Sequence, residues 1–84
     1  MRSRDEILER VRAALVELFE IDPARVTLEA SLYHDLEIDS IDAIDLMDRL
    51  KRETGLNKLT PEDFRAVRTV SDLVETVHRL VQQS

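Results

Sequence analysis

Apolar residues recur at helical spacing in three stretches of the chain, and no stretch alternates with period two. Ile7, Leu8, Val11, Ala14, Leu15, Leu18 and Phe19 share one face at 3.6-residue spacing, leaving Glu9, Arg10, Glu17 and Glu20 outward. Ser3 followed by Glu6 is a capping-box start, and Asp5 and Glu6 complement the helix dipole. A helix is therefore predicted over about residues 4–20. A second opens at Asp39-Ser40, carries Ile41, Ile44, Leu46, Met47 and Leu50, and ends at Thr54-Gly55 with glycine as cap. Thr60-Pro61-Glu62-Asp63 starts a third that is soon interrupted, with only Phe64, Ala66 and Val67 to bury. Thr69 with Asp72 opens the last, where Val70, Leu73, Val74, Val77, Leu80 and Val81 run to about Gln82; Gln83 and Ser84 are expected to fray.

Between the first two helices lies a long connection, residues 21–39. Asp22-Pro23 signals a turn or very short helix, and Val26, Leu28, Leu32, Tyr33, Leu36 and Ile38 follow as spaced apolar anchors. Connections of this length are usually functional or disordered, and the anchors argue against disorder. The pattern predicts an all-α fold: three principal helices plus one short one, packed as a bundle.

Composition narrows the function. Eighty-four residues make one small domain, expected to span 1–84, with no room for a second core. No cysteine means no disulfide framework and no thiolate metal site, in keeping with a reducing, cytoplasmic setting. One glycine is too few for a glycine-rich phosphate loop. The longest apolar run, Ala13-Ala14-Leu15-Val16, rules out a membrane-spanning segment and shows no signal peptide. A net charge of −6 argues against nucleic acid as partner. That charge is concentrated: Asp35, Glu37, Asp39, Asp42, Asp45 and Asp48 fall within 35–48 with no Lys or Arg, and the rest of the chain balances. Acids three apart at 42, 45 and 48 stack like charges on a helix, at a cost of a few tenths of a kcal/mol per pair. A basic partner surface or a cation would offset that cost.

Ser40 stands inside this segment, at a helix start where free backbone N–H groups favour an anion. An isolated Asp-Ser-Ile says no more than helix cap. The longer run Leu36-Glu37-Ile38-Asp39-Ser40-Ile41-Asp42-Ala43-Ile44-Asp45-Leu46, however, resembles the prosthetic-group attachment motif of acyl carrier proteins. The resemblance extends over nearly the whole chain, through the leading helix, the Pro23-to-Leu32 loop, and the late short helix with Thr69-Val70 and the terminal helix.

The resemblance implies that Ser40 receives 4′-phosphopantetheine from coenzyme A, with Asp39 as the acid before it. It implies that Ile41, Asp42, Ile44, Asp45 and Asp48 dock on basic patches of partner enzymes. Leu46, Met47 and Leu50, with Val67, Val70 and Leu73, would line a groove for the tethered acyl chain. The implied partners are a phosphopantetheinyl transferase, working with Mg²⁺, and acyl-transferring and ketosynthase-type enzymes; a monomer is expected. No neighbouring His or Lys can activate the Ser40 hydroxyl, so modification falls to that separate transferase. No nucleophile–base or metal-ligand constellation is present, so a non-catalytic carrier is expected. A peptidyl carrier and an unmodified acidic adaptor remain alternatives; marked acidity around Ser40 weighs against the first.

Two departures stand out. Glu37 occupies a position commonly glycine in fatty-acid carriers, and as a non-glycine residue it is expected to avoid a positive backbone φ. Arg49, Lys51 and Arg52 make the later half of the second helix basic, where many fatty-acid carriers are acidic. The basic end suits the helix dipole, and it also points to a specialised carrier. The motif and the tail Leu59–Val70 look similar to carriers of bacterial secondary-metabolite clusters, the aryl-polyene kind among them. His34 is expected to be solvated or locally bonded, and His78 to suit the C-terminal end of the last helix as a cation among polar neighbours; the acids do not fit an EF-hand, and Phe19, Tyr33 and Phe64 are expected in the core.

Overall fold

Local capping chemistry sets the helix boundaries. In the computed structural model, which describes residues 3–56 and 59–83, Ser3 Oγ accepts the Glu6 N–H at 3.2 Å and α1 runs Arg4–Phe19. Asp22 caps a single 3₁₀ turn over Pro23–Arg25. Asp39 Oδ1 accepts the Asp42 N–H at 2.8 Å, opening α2 over Ser40–Thr54, which Gly55 closes at φ 74°. Thr60 and Asp63 form a reciprocal capping box for α3, Pro61–Arg65. Thr69 and Asp72 do the same for α4, Val70–Gln83: Thr69 Oγ1 accepts the Asp72 N–H at 3.2 Å, and Asp72 Oδ2 accepts the Thr69 N–H at 3.2 Å. Each such cap contributes about 1 kcal/mol. Ser84, expected to fray, lies outside the described residues, whereas Gln83 is the last helical residue.

The three long helices bury their stripes against one another. Ile7, Val11 and Leu15 of α1, Leu46 and Leu50 of α2, and Val70, Leu73 and Val77 of α4 are all fully buried in one cluster. Full burial of such side chains is worth about 1.5–3 kcal/mol each, so this cluster dominates the favourable side of folding. Among the described residues the sheet content is a lone antiparallel bridge, Ser31 with Thr69. The architecture is the predicted three principal helices plus one short one.

That bridge shows how the long connection is held. Ile21, Val26, Ala30, Leu32, Leu36 and Ile38 are buried. Around the bridge, the Leu32 N–H donates to the Arg68 carbonyl at 2.9 Å, Val70 to Ala30 at 3.0 Å and Ser71 to Leu28 at 2.9 Å. The connection is thus strapped to the start of α4. Two expected anchors are not anchors: Leu28 and Tyr33 are each 42% exposed. Of the aromatic residues, Phe64 is buried and Phe19 packs on the core, but Tyr33 stands on the surface.

Glu37 contradicts expectation more sharply, with φ at 56°. The cause is visible in its neighbours. Leu36 and Ile38 are both buried, and their N–H groups donate to the Ser31 carbonyl at 3.1 Å and the Leu32 carbonyl at 2.9 Å. The chain must turn tightly between them, and the left-handed conformation of Glu37 provides that turn. Glycine would meet this geometric demand without strain; here an acid meets it at a steric cost of about 1–2 kcal/mol.

Candidate functional site

The end of this strapped loop delivers Ser40 to the surface. Asp39 is extended (φ −98°, ψ −176°), and its carboxylate is occupied in capping Asp42. Ser40 is the first residue of α2, exposed, with no hydrogen-bond partner for its hydroxyl among the described residues. It borders a hollow of ≈ 260 Å³ lined by Tyr33, Ala43, Ile44, Met47, Pro61, Phe64 and Arg65. An accessible hydroxyl opening onto a mostly apolar hollow fits an attached arm whose first atoms are charged and whose remainder is amphipathic. The residues present therefore fit the prosthetic group that the sequence resemblance implies.

The five expected docking residues divide between two faces. Ile41 is 71% exposed and Ile44 53% exposed, unusual for isoleucine, and Asp45 and Asp48 are exposed beside them. Ile41, Asp45 and Asp48 follow one line along α2, four and then three residues apart. Asp42 is only half-exposed and turned to the other flank. There it borders a second hollow with Phe19, Ile21, Arg25, Leu36, Glu37 and Ile38.

The expected groove residues divide as well. Met47 borders the hollow beside Ser40, while Leu46, Leu50, Val67, Val70 and Leu73 are fully buried in the core. Sequence reasoning did not bring Tyr33, Ala43, Pro61, Phe64 and Arg65 to Ser40. The start signal at Thr60-Pro61 marked α3 as a helix, but nothing local stated which element it would pack beside.

The basic end of α2 is partly spent within the fold. Arg49 Nε donates to Glu53 at 3.0 Å, Arg49 also pairs with Glu17 of α1, and Glu53 is held a second time by Arg10 at 3.1 Å. The Glu53 carboxyl lies below its ordinary range, chiefly because Arg49 donates to it, against an opposing effect of partial desolvation. The same hydrogen bond, more than any other effect, raises Arg49 above its ordinary value. Arg49 therefore ties α2 to α1, leaving Lys51 and Arg52 as the cations at this end. His78 Nε2 lies 3.3 Å from Gln82 Nε2, a local helix contact, and no described helix is long and apolar enough to cross a membrane.

Comparison with known proteins gives the family. Residues 9–77 match the family model described as "Phosphopantetheine attachment site". The chain is 51% identical over 76 residues to "Acyl carrier protein 2" of Ralstonia nicotianae, covering 90% of this chain and 93% of that protein. It is 35% identical over 79 residues to the "Acyl carrier protein" of Thermotoga maritima and 33% identical over 79 residues to that of Thermosynechococcus vestitus. Each of these covers 94% of this chain and 96% of the relative. With a capped helix start presenting an accessible serine inside the matched region, the chain belongs to the acyl carrier proteins, non-catalytic carriers whose prosthetic group is 4′-phosphopantetheine.

Proposed function

We propose that Ser40 is the attachment residue, and that the chain acts as one carrier domain shuttling acyl groups among enzymes of fatty-acid, polyketide or related biosynthesis. The observation that carries this reading is the position of Ser40: exposed, first in α2, and bordering an apolar hollow beside two exposed isoleucines. No His or Lys neighbours its hydroxyl in the sequence, and the Asp39 carboxylate is engaged in capping, so the phosphopantetheinyl transferase supplies the base. Ser40 Oγ bonds to phosphorus, adenosine 3′,5′-bisphosphate leaves, and the hydroxyl proton passes to the transferase. When bound, the arm supplies a thiol that carries the cargo as a thioester. With no Cys in the chain, no internal thiol competes for that cargo. A free thiol on the arm suits a reducing compartment such as the cytoplasm.

Ile41 and Ile44 supply apolar contact to partner enzymes, acyl-transferring and ketosynthase-type among them, and Asp45 and Asp48 meet basic side chains there. Asp42 serves partners that reach round the flank of α2. Met47 meets the start of the arm. Leu46, Leu50, Val67, Val70 and Leu73 form the deeper wall that a longer cargo would have to part. The half-buried Lys51 and exposed Arg52 favour a specialised partner set over enzymes that engage acids along the full helix. The test is loading: incubated with coenzyme A and a broad-specificity phosphopantetheinyl transferase, the purified protein gains one phosphopantetheine by intact mass, and Ser40→Ala gains none. Addition that survives Ser40→Ala would overturn the assignment.

A further inference from the structure

The hollow beside Ser40 contains a single charged side chain, and it is a cation. Arg65, the last residue of α3, lines it together with Ser40, Tyr33, Ile44, Met47 and Phe64. All the charged residues flanking Ser40 in sequence, from Asp35 to Asp48, are acidic. Arg65 is exposed and makes no ion pair or hydrogen bond among the described residues. Arg4, Arg10, Arg12 and Arg49 are paired with carboxylates and Arg25 donates to the Asp35 carbonyl; the side chains of Arg52, Arg68 and Arg79 share the unpaired state of Arg65 among the described residues, but none of them lines this hollow. The acids of its own helix leave Arg65 free. Asp63 Oδ2 is committed to the Thr60 N–H at 3.1 Å and the Thr60 hydroxyl at 3.0 Å, and Glu62 makes no ion pair among the described residues.

We propose that Arg65 pairs with the phosphodiester that modification places on Ser40, and so holds the first part of the arm against the hollow. This rests on Ser40 being the attachment residue. The phosphorus is one bond from Ser40 Oγ, so the two free oxygens of the diester lie where Ser40 borders the hollow. An arginine side chain is long enough to cross a hollow of ≈ 260 Å³. Its planar fork matches two phosphate oxygens at once. Asp39, Asp42 and Asp45 repel the added charge, which leaves Arg65 as the cation of the hollow to offset it. A carboxylate on the cargo would sit at the far end of the arm, away from this pair. Because the pair is exposed, it shifts the held-to-free ratio of the arm by roughly 1.4- to 5-fold, less at high salt.

The experiment uses the loaded protein, with intact mass confirming one arm before any other measurement. Failure to load bears on Ser40; the following readouts bear on Arg65. The Nε–H resonance of Arg65, assigned by its loss in Arg65→Gln, should move between the apo and loaded forms. The phosphorus resonance of the diester should shift in Arg65→Gln and return toward the parent in Arg65→Lys. Circular dichroism should be unchanged in both variants, since Arg65 is exposed at a helix end. Identical phosphorus resonances in parent and Arg65→Gln, with an unmoved Nε–H, would overturn the pairing. An Nε–H that moves only when the arm carries malonyl, and not acetyl, would overturn it too, by showing that Arg65 meets the cargo carboxylate.

Discussion

Replacing Glu37 with glycine should stabilise the protein, although Glu37→Gly removes a side chain and adds freedom to the unfolded chain. Glu37 sits at φ 56°, where an L-residue carries a steric cost of about 1–2 kcal/mol. Glycine relieves that cost but loses about 0.5–1 kcal/mol through the greater entropy of the unfolded state. The balance favours Glu37→Gly by roughly 0.5–1 kcal/mol, about 2–8 °C in midpoint for a domain of this size. Glu37 also shares its hollow with Glu20, Asp22 and Asp42 and with Arg25, so removing its charge has an electrostatic effect of its own. Glu37→Gln separates the two effects, because it discharges the site while keeping the backbone cost, and it should change stability by less than about 0.5 kcal/mol. Urea and thermal unfolding of all three proteins measure the difference. A Glu37→Gly protein no more stable than Glu37→Gln would refute the claim that the turn at 36–38 is strained.

Other substitutions probe the remaining links. Asp39→Ala should lower stability by about 1 kcal/mol in denaturant titration, since it removes the cap accepting the Asp42 N–H. Glu53→Gln should destabilise at neutral pH, with a defined pH dependence. The folded-state pKa of Glu53 is depressed, so its contribution is present above the ordinary value of 4.5 and is lost as pH falls through the lowered one. Parent and variant unfolding midpoints should therefore converge in acid. Asp45→Lys should leave helix content unchanged by circular dichroism and slow acyl transfer to partner enzymes, since Asp45 is exposed on the face that carries Ile41. Equal transfer rates for parent and variant would count against that face as the recognition element.

What the sequence made legible was mostly local. Ser3, Asp39, Thr60 and Thr69 each cap through an atom three residues away, and Gly55 closes its helix alone, so short patterns suffice. Glu37 was misjudged because its conformation is imposed by two buried neighbours tied to Ser31 and Leu32, a demand absent from its own residue type. Tyr33 and Leu28 have the hydrophobicity of anchors, but periodicity inside a loop cannot tell which residues the strap to α4 turns inward. The same blindness affected the hollow. An apolar stripe shows that Leu46, Met47 and Leu50 face the bundle, yet only the placement of α3 decides that Met47 borders the open edge. The sequence likewise shows the basic end of α2 but not that Arg49 is matched by Glu53 nearby and by Glu17 from a distant part of the chain.

The central claim is that the accessible hydroxyl at the head of α2 bears the arm. Tandem mass spectrometry of the protein isolated after co-expression with a phosphopantetheinyl transferase tests it most directly. The account predicts the phosphopantetheine mass on the fragment containing Ser40 and on no other. The same mass on Ser31, Ser71 or any threonine, with Ser40 bare, would contradict it.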